Sequence, residues 1–190
     1  GDDEKIRGIV GIRHVMPGPM IIYFSLITTL QSFSGALAKL GLQHVIYHGQ
    51  LPGDLRTKNQ KRFIEGRSDL ILATPAFGLG IDKPNVRALV HVEMPNSIEA
   101  YYQEYGRAGR DGKDSECHLF LDQDDVSIQM DFIKWTNPEP AFVRRVYELL
   151  EENGPGVQSE GVDFLREKMN FYNRRDFRVE SSLNILERLE

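Results

Sequence analysis

The stretch Gln103-Glu104-Tyr105-Gly106-Arg107-Ala108-Gly109-Arg110-Asp111-Gly112 sets two arginines three residues apart, each directly after a glycine, at the end of a short amphipathic run. Arginine stays charged and presents a planar fork of donors that fits phosphate oxygens. A glycine beside each cation keeps side-chain bulk away from a polyphosphate. The pattern suits a phosphate clamp on a turn. A helix end with two solvated arginines uses the same residue types, so the flanking sequence decides between them.

Outward from this stretch, short β-type runs alternate with helical patterns. The strands read Met20–Ser25, His44–Tyr47, Asp69–Ala73, Arg87–Val92 and Cys117–Leu121. After the first strand, Leu26, Leu30, Phe33, Leu37 and Leu40 recur at four, three, four and three, which is one stripe of a helix that Gly41 ends. Asp54 to Glu65 reads as a second helix, stopped by Gly66. Asn96 with Glu99 has capping-box spacing, and Ile98, Tyr101, Tyr102 and Tyr105 are expected to face the core. Such alternation gives an α/β fold, a parallel sheet with helices on both faces, and the apolar strands fit burial on both sides. Ligand groups in such sheets gather at the carboxyl ends of the strands. Ser25, His48, Thr74 and the loop to Asp82 all lie there.

Upstream lies Ala73-Thr74-Pro75-Ala76-Phe77-Gly78-Leu79-Gly80-Ile81-Asp82-Lys83-Pro84-Asn85-Val86-Arg87. This segment resembles motif V, and residues 103–112 resemble motif VI, of the RecQ family of superfamily 2 DNA helicases. Tyr47-His48-Gly49-Gln50-Leu51 is similar to that family's short motif between IV and V. Met20-Ile21-Ile22-Tyr23-Phe24-Ser25 is similar to motif IV, although the Phe-Ser-Leu-Ile-Thr that closes it departs from the more polar usual loop. The resemblance covers roughly residues 2–135.

The resemblance implies the RecA-like C-terminal lobe of an ATP-dependent 3′-to-5′ helicase. ATP would bind in the cleft between this lobe and an N-terminal lobe of the same chain, which would hold most of the ATP and Mg²⁺. Arg110, then Arg107, would be the arginine finger. Asp82, Gly80 and Gln103 would lie against the nucleotide, with Asp82 at the ribose or bridging to the arginines. Ser25, His48, Thr74 and Lys83 would grip single-stranded DNA. Each has a plain alternative: Ser25 and Thr74 as turn formers, His48 as a structural hydrogen bonder, Lys83 and Gln103 as surface residues. Phe77 reads as packing.

The 190 residues contain no GxxxxGK[ST] pattern and no strand ending in an Asp-Glu pair. The chain alone is therefore expected not to hydrolyse ATP. Its single cysteine, Cys117, excludes an internal disulfide and a multi-cysteine zinc site, so no zinc and no metal site of this lobe's own is expected. RecQ proteins typically carry a four-cysteine zinc module after this lobe, and here the pattern departs. Cys117 reads as a buried strand residue. Asp122 to Asp125 read as acids that cap and start a helix. No apolar run approaches the ~18 residues of a membrane helix. With so few cysteines, a cytoplasmic setting is expected, nucleoid-associated in a bacterium.

A boundary is expected at Thr136-Asn137-Pro138-Glu139-Pro140, separating a lobe of residues 1–136 from a helical appendage of 141–190. In the appendage, helices are expected over Phe142–Glu152, Val162–Asn170 and Phe177–Leu189. Together they are similar to the front half of a winged helix led by Arg174, Arg175 and Arg178; a plain helical extension fits the same residues. Two other functional readings stay open: a catalytically silent RecA-like module binding nucleic acid or a partner, and an RNA helicase lobe of the DEAD-box kind, whose motif VI more often begins His-Arg.

Overall fold

The structure, a computed structural model, describes residues 1–78, 81–170 and 176–188. It divides into two compact units, Gly1–Asp125 and Val126–Glu190.

The first unit is built on five parallel strands: β1 (Met20–Tyr23), β2 (Val45–Tyr47), β3 (Leu70–Ala73), β4 (Ala88–His91) and β5 (Glu116–Leu119), in the order β2-β3-β1-β4-β5. Parallel neighbours need crossovers, and the helices supply them. These are α2 (Ile27–Lys39), α3 (Gly53–Ile64) and α4 (Ile98–Tyr105), with α1 (Asp2–Val15) ahead of the sheet. In register, Tyr23 lies opposite Ala73 on one side and His91 on the other.

The strand alternation divides the core in two. Met20, Ile22, Leu70, Leu72, Ala88 and Val90 pack under Ile9 of α1 and Leu30, Phe33 and Leu37 of α2. Ile21, Tyr23, Ile71, Ala73 and Leu89 pack under Phe63 of α3 and the post-β3 residues Phe77, Ile81 and Val86. The three central strands are buried throughout, apolar but for His91 at the end of β4 and the Tyr23 hydroxyl at the end of β1. Helices α2 and α3 end as read from the sequence: Leu42 N–H reaches the Leu37 carbonyl at 3.0 Å and Arg67 N–H the Arg62 carbonyl at 2.8 Å, one bond past each glycine.

Several expectations change. Helix α1 has no counterpart in the sequence reading, although Ile6, Ile9 and Ile12 form its inward stripe. Strand β5 is an edge strand with one neighbour, so Cys117 is exposed rather than buried. Helix α4 is capped by Ser97, not Asn96: the Ser97 hydroxyl accepts from Ala100 N–H at 3.1 Å. That helix also shows a different face. Ile98 is 82% exposed, Tyr102 66% and Tyr105 37%, while Glu104 is buried. The reason is a partner below it, because a polar group at the carboxyl end of β4 meets Glu104 there.

The second unit is helical. Helix α5 (Gln123–Thr136) leads into it, α6 (Pro140–Glu160) breaks its helical geometry at Asn153, and α7 (Val162–Lys168) and α8 (Arg178–Glu187) follow. Val146, Leu149, Leu165 and Val179 form its core. Arg178 pairs with buried Asp176 at 2.7 Å and lies over the Phe142 ring. The other two arginines of the expected winged-helix turn, Arg174 and Arg175, lie outside the described residues.

Candidate functional site

Three residues expected to grip DNA follow consecutive strands along the carboxyl edge: His48 after β2, Thr74 after β3 and Ser25 after β1. Neighbouring strands lie about 4.8 Å apart, so the edge runs along roughly two such spacings. Thr74 N–H donates to the Tyr47 carbonyl at 3.0 Å. The Ser25 hydroxyl donates to the Met94 carbonyl at 3.0 Å, leaving its lone pairs to accept. His48 is 4% exposed, and both ring nitrogens are buried without a partner. Burial pushes its pKa down, which disfavours the charged ring.

Lys83 does not join this edge. It is buried, lies over the Phe63 ring and donates from Nζ to the Ile64 carbonyl at 3.1 Å, at the C-terminal end of α3. Burial lowers its pKa, with Asp69 opposing. Its geometry is that of a helix-end cation.

Glu93, two residues beyond β4, organises the edge although nothing in its local sequence signals it. Its carboxylate accepts from Ser25 N–H at 2.7 Å, Leu26 N–H at 2.9 Å and the Thr29 hydroxyl at 2.7 Å. Helix α2 has no side-chain cap of its own, and Glu93 supplies that acceptor from 67 residues away.

The two arginines lie at the other end of the site. Gln103, Arg107 and Arg110 line one open cavity of about 500 Å³ together with Tyr102, Tyr105 and Gly106. Arg110 is exposed, and its Nε donates to the Gly106 carbonyl at 3.0 Å. Arg107 is half-buried. It also lines a smaller cavity of about 150 Å³ with Pro75, Gly78, Ala100, Gln103 and Glu104, and its Nε is buried without a partner. A β-carbon at Gly78 would lie 3.0 Å from Arg107 Nη2. The glycine leaves the space that the guanidinium fills.

The motif V-like loop and the motif VI-like turn are joined through main-chain atoms. Gly109 N–H donates to the Val86 carbonyl at 3.0 Å, and Asp111 N–H to the Pro84 carbonyl at 3.2 Å. Gly109 has φ +62°, and a β-carbon there would meet Ser115 Oγ at 2.6 Å. Arg87 closes the join, bonding Asp111 Oδ1 at 2.5 Å and the Asp114 carbonyl at 2.8 Å. Asp82, in this loop, is exposed; Gly80 lies outside the described residues. Phe77 is buried between Tyr47 and Phe63.

Beneath α4, His91 Nε2 meets Glu104 Oε2 at 2.7 Å, both side chains buried. Tyr23 stacks on His91 at 5.3 Å and donates its hydroxyl to the Phe77 carbonyl at 2.9 Å. Burial pushes the Tyr23 phenol far above its ordinary pKa, the Arg107 cation opposing and Glu104 adding. The sequence reading missed this trio. Its one available signal was a carboxylate on the sheet-facing side of a short helix. Among the described residues no group of three His, Cys, Asp or Glu could hold a metal ion, and no helix is long and apolar enough to cross a membrane.

A parallel α/β lobe with two arginines lining one cavity beyond α4 defines a class: the RecA-like second lobe of superfamily 2 helicases. The chain belongs to the family described as the helicase conserved C-terminal domain, which it matches over residues 4–112. It is 45% identical over 93 residues to the ATP-dependent DNA helicase RecQ of Bacillus subtilis, covering 49% of this chain and 16% of that protein. It is 44% identical over 107 residues to R290 of Acanthamoeba polyphaga mimivirus, which bears the name of an ATP-dependent RNA helicase, covering 56% of this chain and 19% of that one. The matched part thus spans less than a fifth of either relative. Among solved structures, S. cerevisiae Dbp5 bound to RNA and ADP BeF3 superposes with a TM-score of 0.60 at 25% identity, over 70% of this chain and 36% of that one.

Proposed function

We propose that this lobe is the second motor lobe of an ATP-dependent 3′-to-5′ DNA helicase of the RecQ kind. Arg110 is the arginine finger, Arg107 its deeper companion, and Gln103 and Asp82 flank the nucleotide. The observation that carries the reading is the cavity shared by Gln103, Arg107 and Arg110, with a buried Arg107 Nε left over for an acceptor. An anion slot of this kind suits a polyphosphate better than a neutral ligand. ATP with Mg²⁺ supplies the transferable phosphoryl group; the two guanidinium groups contribute fixed positive charge at its edge. Ser25, His48 and Thr74 form this lobe's share of a single-stranded DNA track; Lys83, with its Nζ on the Ile64 carbonyl, is left out of this reading. The helical unit is an appendage, and the N-terminal lobe of the full protein is the partner across the cleft.

The RNA helicase reading has specific support in the name of the mimivirus relative and in the RNA-bound Dbp5 likeness. Against it stands Gln103-Glu104 where a DEAD-box motif VI more often begins His-Arg.

Phosphate release tests the proposal. The 190-residue chain is expected to release none above background with ATP, Mg²⁺ and single-stranded DNA. The full-length protein should turn over at about 1 s⁻¹ or faster, stimulated more by DNA than by RNA. Turnover on that scale by the chain alone would sink the split-motor reading. Stimulation by RNA only would transfer it to the RNA class.

A further inference from the structure

The clamp reading accounts for Arg107 but leaves the buried polar trio next to it without a task. We propose that Glu104, His91 and Tyr23 are positioning residues for Arg107, tying both walls of its slot to the central strands β1 and β4. This inference rests on the role proposed above for the motif VI arginines.

His91 is the last residue of β4 and stands in register with Tyr23 of β1, so its backbone is fixed by the sheet. Its ring is held between Tyr23 at 5.3 Å and Tyr101 at 5.0 Å. His91 Nε2 and Glu104 Oε2 share one hydrogen bond, and Nδ1 is left buried without a partner. Glu104 in turn accepts the Arg107 N–H on its own carbonyl at 3.1 Å. Anchoring Glu104 therefore fixes the turn from which the Arg107 side chain departs.

The opposite wall is fixed from the same strands. The Tyr23 hydroxyl holds the Phe77 carbonyl, and the next residue is Gly78, whose missing β-carbon admits Arg107 Nη2. One strand pair thus sets both sides of the slot, and a β-carbon at residue 78 would sit in tight contact with the guanidinium, 3.0 Å from Nη2. A buried carboxylate and imidazole are costly to keep out of water, and a network of this kind is rigid only when its members are joined. An arginine acting on phosphate is sensitive to such rigidity, because a displacement of about 1 Å in a catalytic group can lower a rate by up to ~10²-fold.

The test uses the full-length helicase with saturating single-stranded DNA. Glu104→Gln and Tyr23→Phe are each made alone and together with Arg107→Ala; kcat, KM for ATP and melting temperature are measured. With Arg107 present, Glu104→Gln should lower kcat about tenfold, with KM changed less than about twofold. Tyr23→Phe should do the same to a smaller degree. In the Arg107→Ala background neither should lower kcat further. Equal fold-losses in both backgrounds would overturn the inference, since a role confined to fold integrity does not act through Arg107. Arg107→Ala losing turnover while both network variants keep it would also overturn the inference, leaving the clamp intact. Full turnover by Arg107→Ala would remove the clamp role and the inference with it. If Glu104→Gln fails to fold, Tyr23→Phe, which deletes one oxygen, carries the test.

Discussion

The three central strands and the α4 corner are both buried, but they are made differently. Under the sheet, Ile21, Ile22, Leu72 and Val90 are wholly enclosed and have no polar side-chain atoms to satisfy. At the corner, the burial is of Glu104, His91 and part of Arg107, with His91 Nδ1 and Arg107 Nε left unpaired. The first kind of burial holds a fold together by removing apolar area from water. The second costs stability and holds directional groups in place. The two should therefore fail differently when altered.

The largest separation is expected at Arg110. Arg110→Ala in the full-length protein should lower ATP turnover by ~10³-fold or more, with the melting temperature unchanged, because an exposed rim side chain contributes little to the core. A loss of less than about threefold would remove Arg110 from the finger role and weaken the contrast between the regions. The inverse result belongs to the sheet. Ile22→Ala, in the middle of β1, should destabilise the lobe by about 2–5 kcal/mol in denaturant unfolding. A cost under about 1 kcal/mol would mean that the site collapses around the deletion.

Glu93 sharpens the comparison, because it is a polar anchor that serves a helix rather than an arginine. Glu93→Ala leaves the amides of Ser25 and Leu26 without their acceptor. We expect a stability loss of about 1–3 kcal/mol and faster hydrogen exchange at the first turn of α2. Unchanged exchange there would show that water replaces the carboxylate. The smallest effect is one of pH. A hydrogen bond from Arg87 holds the Asp111 carboxyl below its ordinary value, with the Lys113 amide adding to it. A carboxylate with a lowered folded pKa contributes stability above its unfolded value, near 3.8, and loses that contribution as pH falls through the lower folded value. An acid titration of unfolding should therefore show Arg87→Ala and the parent converging toward low pH. Curves that stay parallel would rule the clasp out as a source of the dependence.

The apolar part of the molecule was readable from sequence because one property at one period decides it. Short apolar runs gave β1, β3 and β4, and the Leu30, Phe33 and Leu37 spacing gave the inner face of α2. Helix α4 was misread for the reason that makes it interesting. Ranking by hydrophobicity turns Ile98, Tyr102 and Tyr105 inward, but His91 lies beneath the helix and selects Glu104 instead. The edge position of β5 was equally hidden, since strand order is a matter of pairing and Cys117 sits in an apolar run either way. Arg107 and Arg110 were read together from their three-residue spacing on a glycine-flanked turn, and Gln103 from the resemblance to motif VI. The partners of Lys83 and Glu93 did not, because each meets a group 19 or more residues distant that no local pattern names.

The two bonds from Gly109 and Asp111 to the carbonyls of Val86 and Pro84 use only atoms that nearly every amino acid possesses. The attachment itself does not depend on which side chains stand at 84 and 86, whereas Gly109, at φ +62° and against Ser115, has no room for one. Substituting residue 84 or 86 leaves the acceptor oxygens in place, and only proline at 109 or 111 would delete a donor. The chain between these contacts holds β4 and α4, so the join fixes both ends of the segment that carries His91 and Glu104.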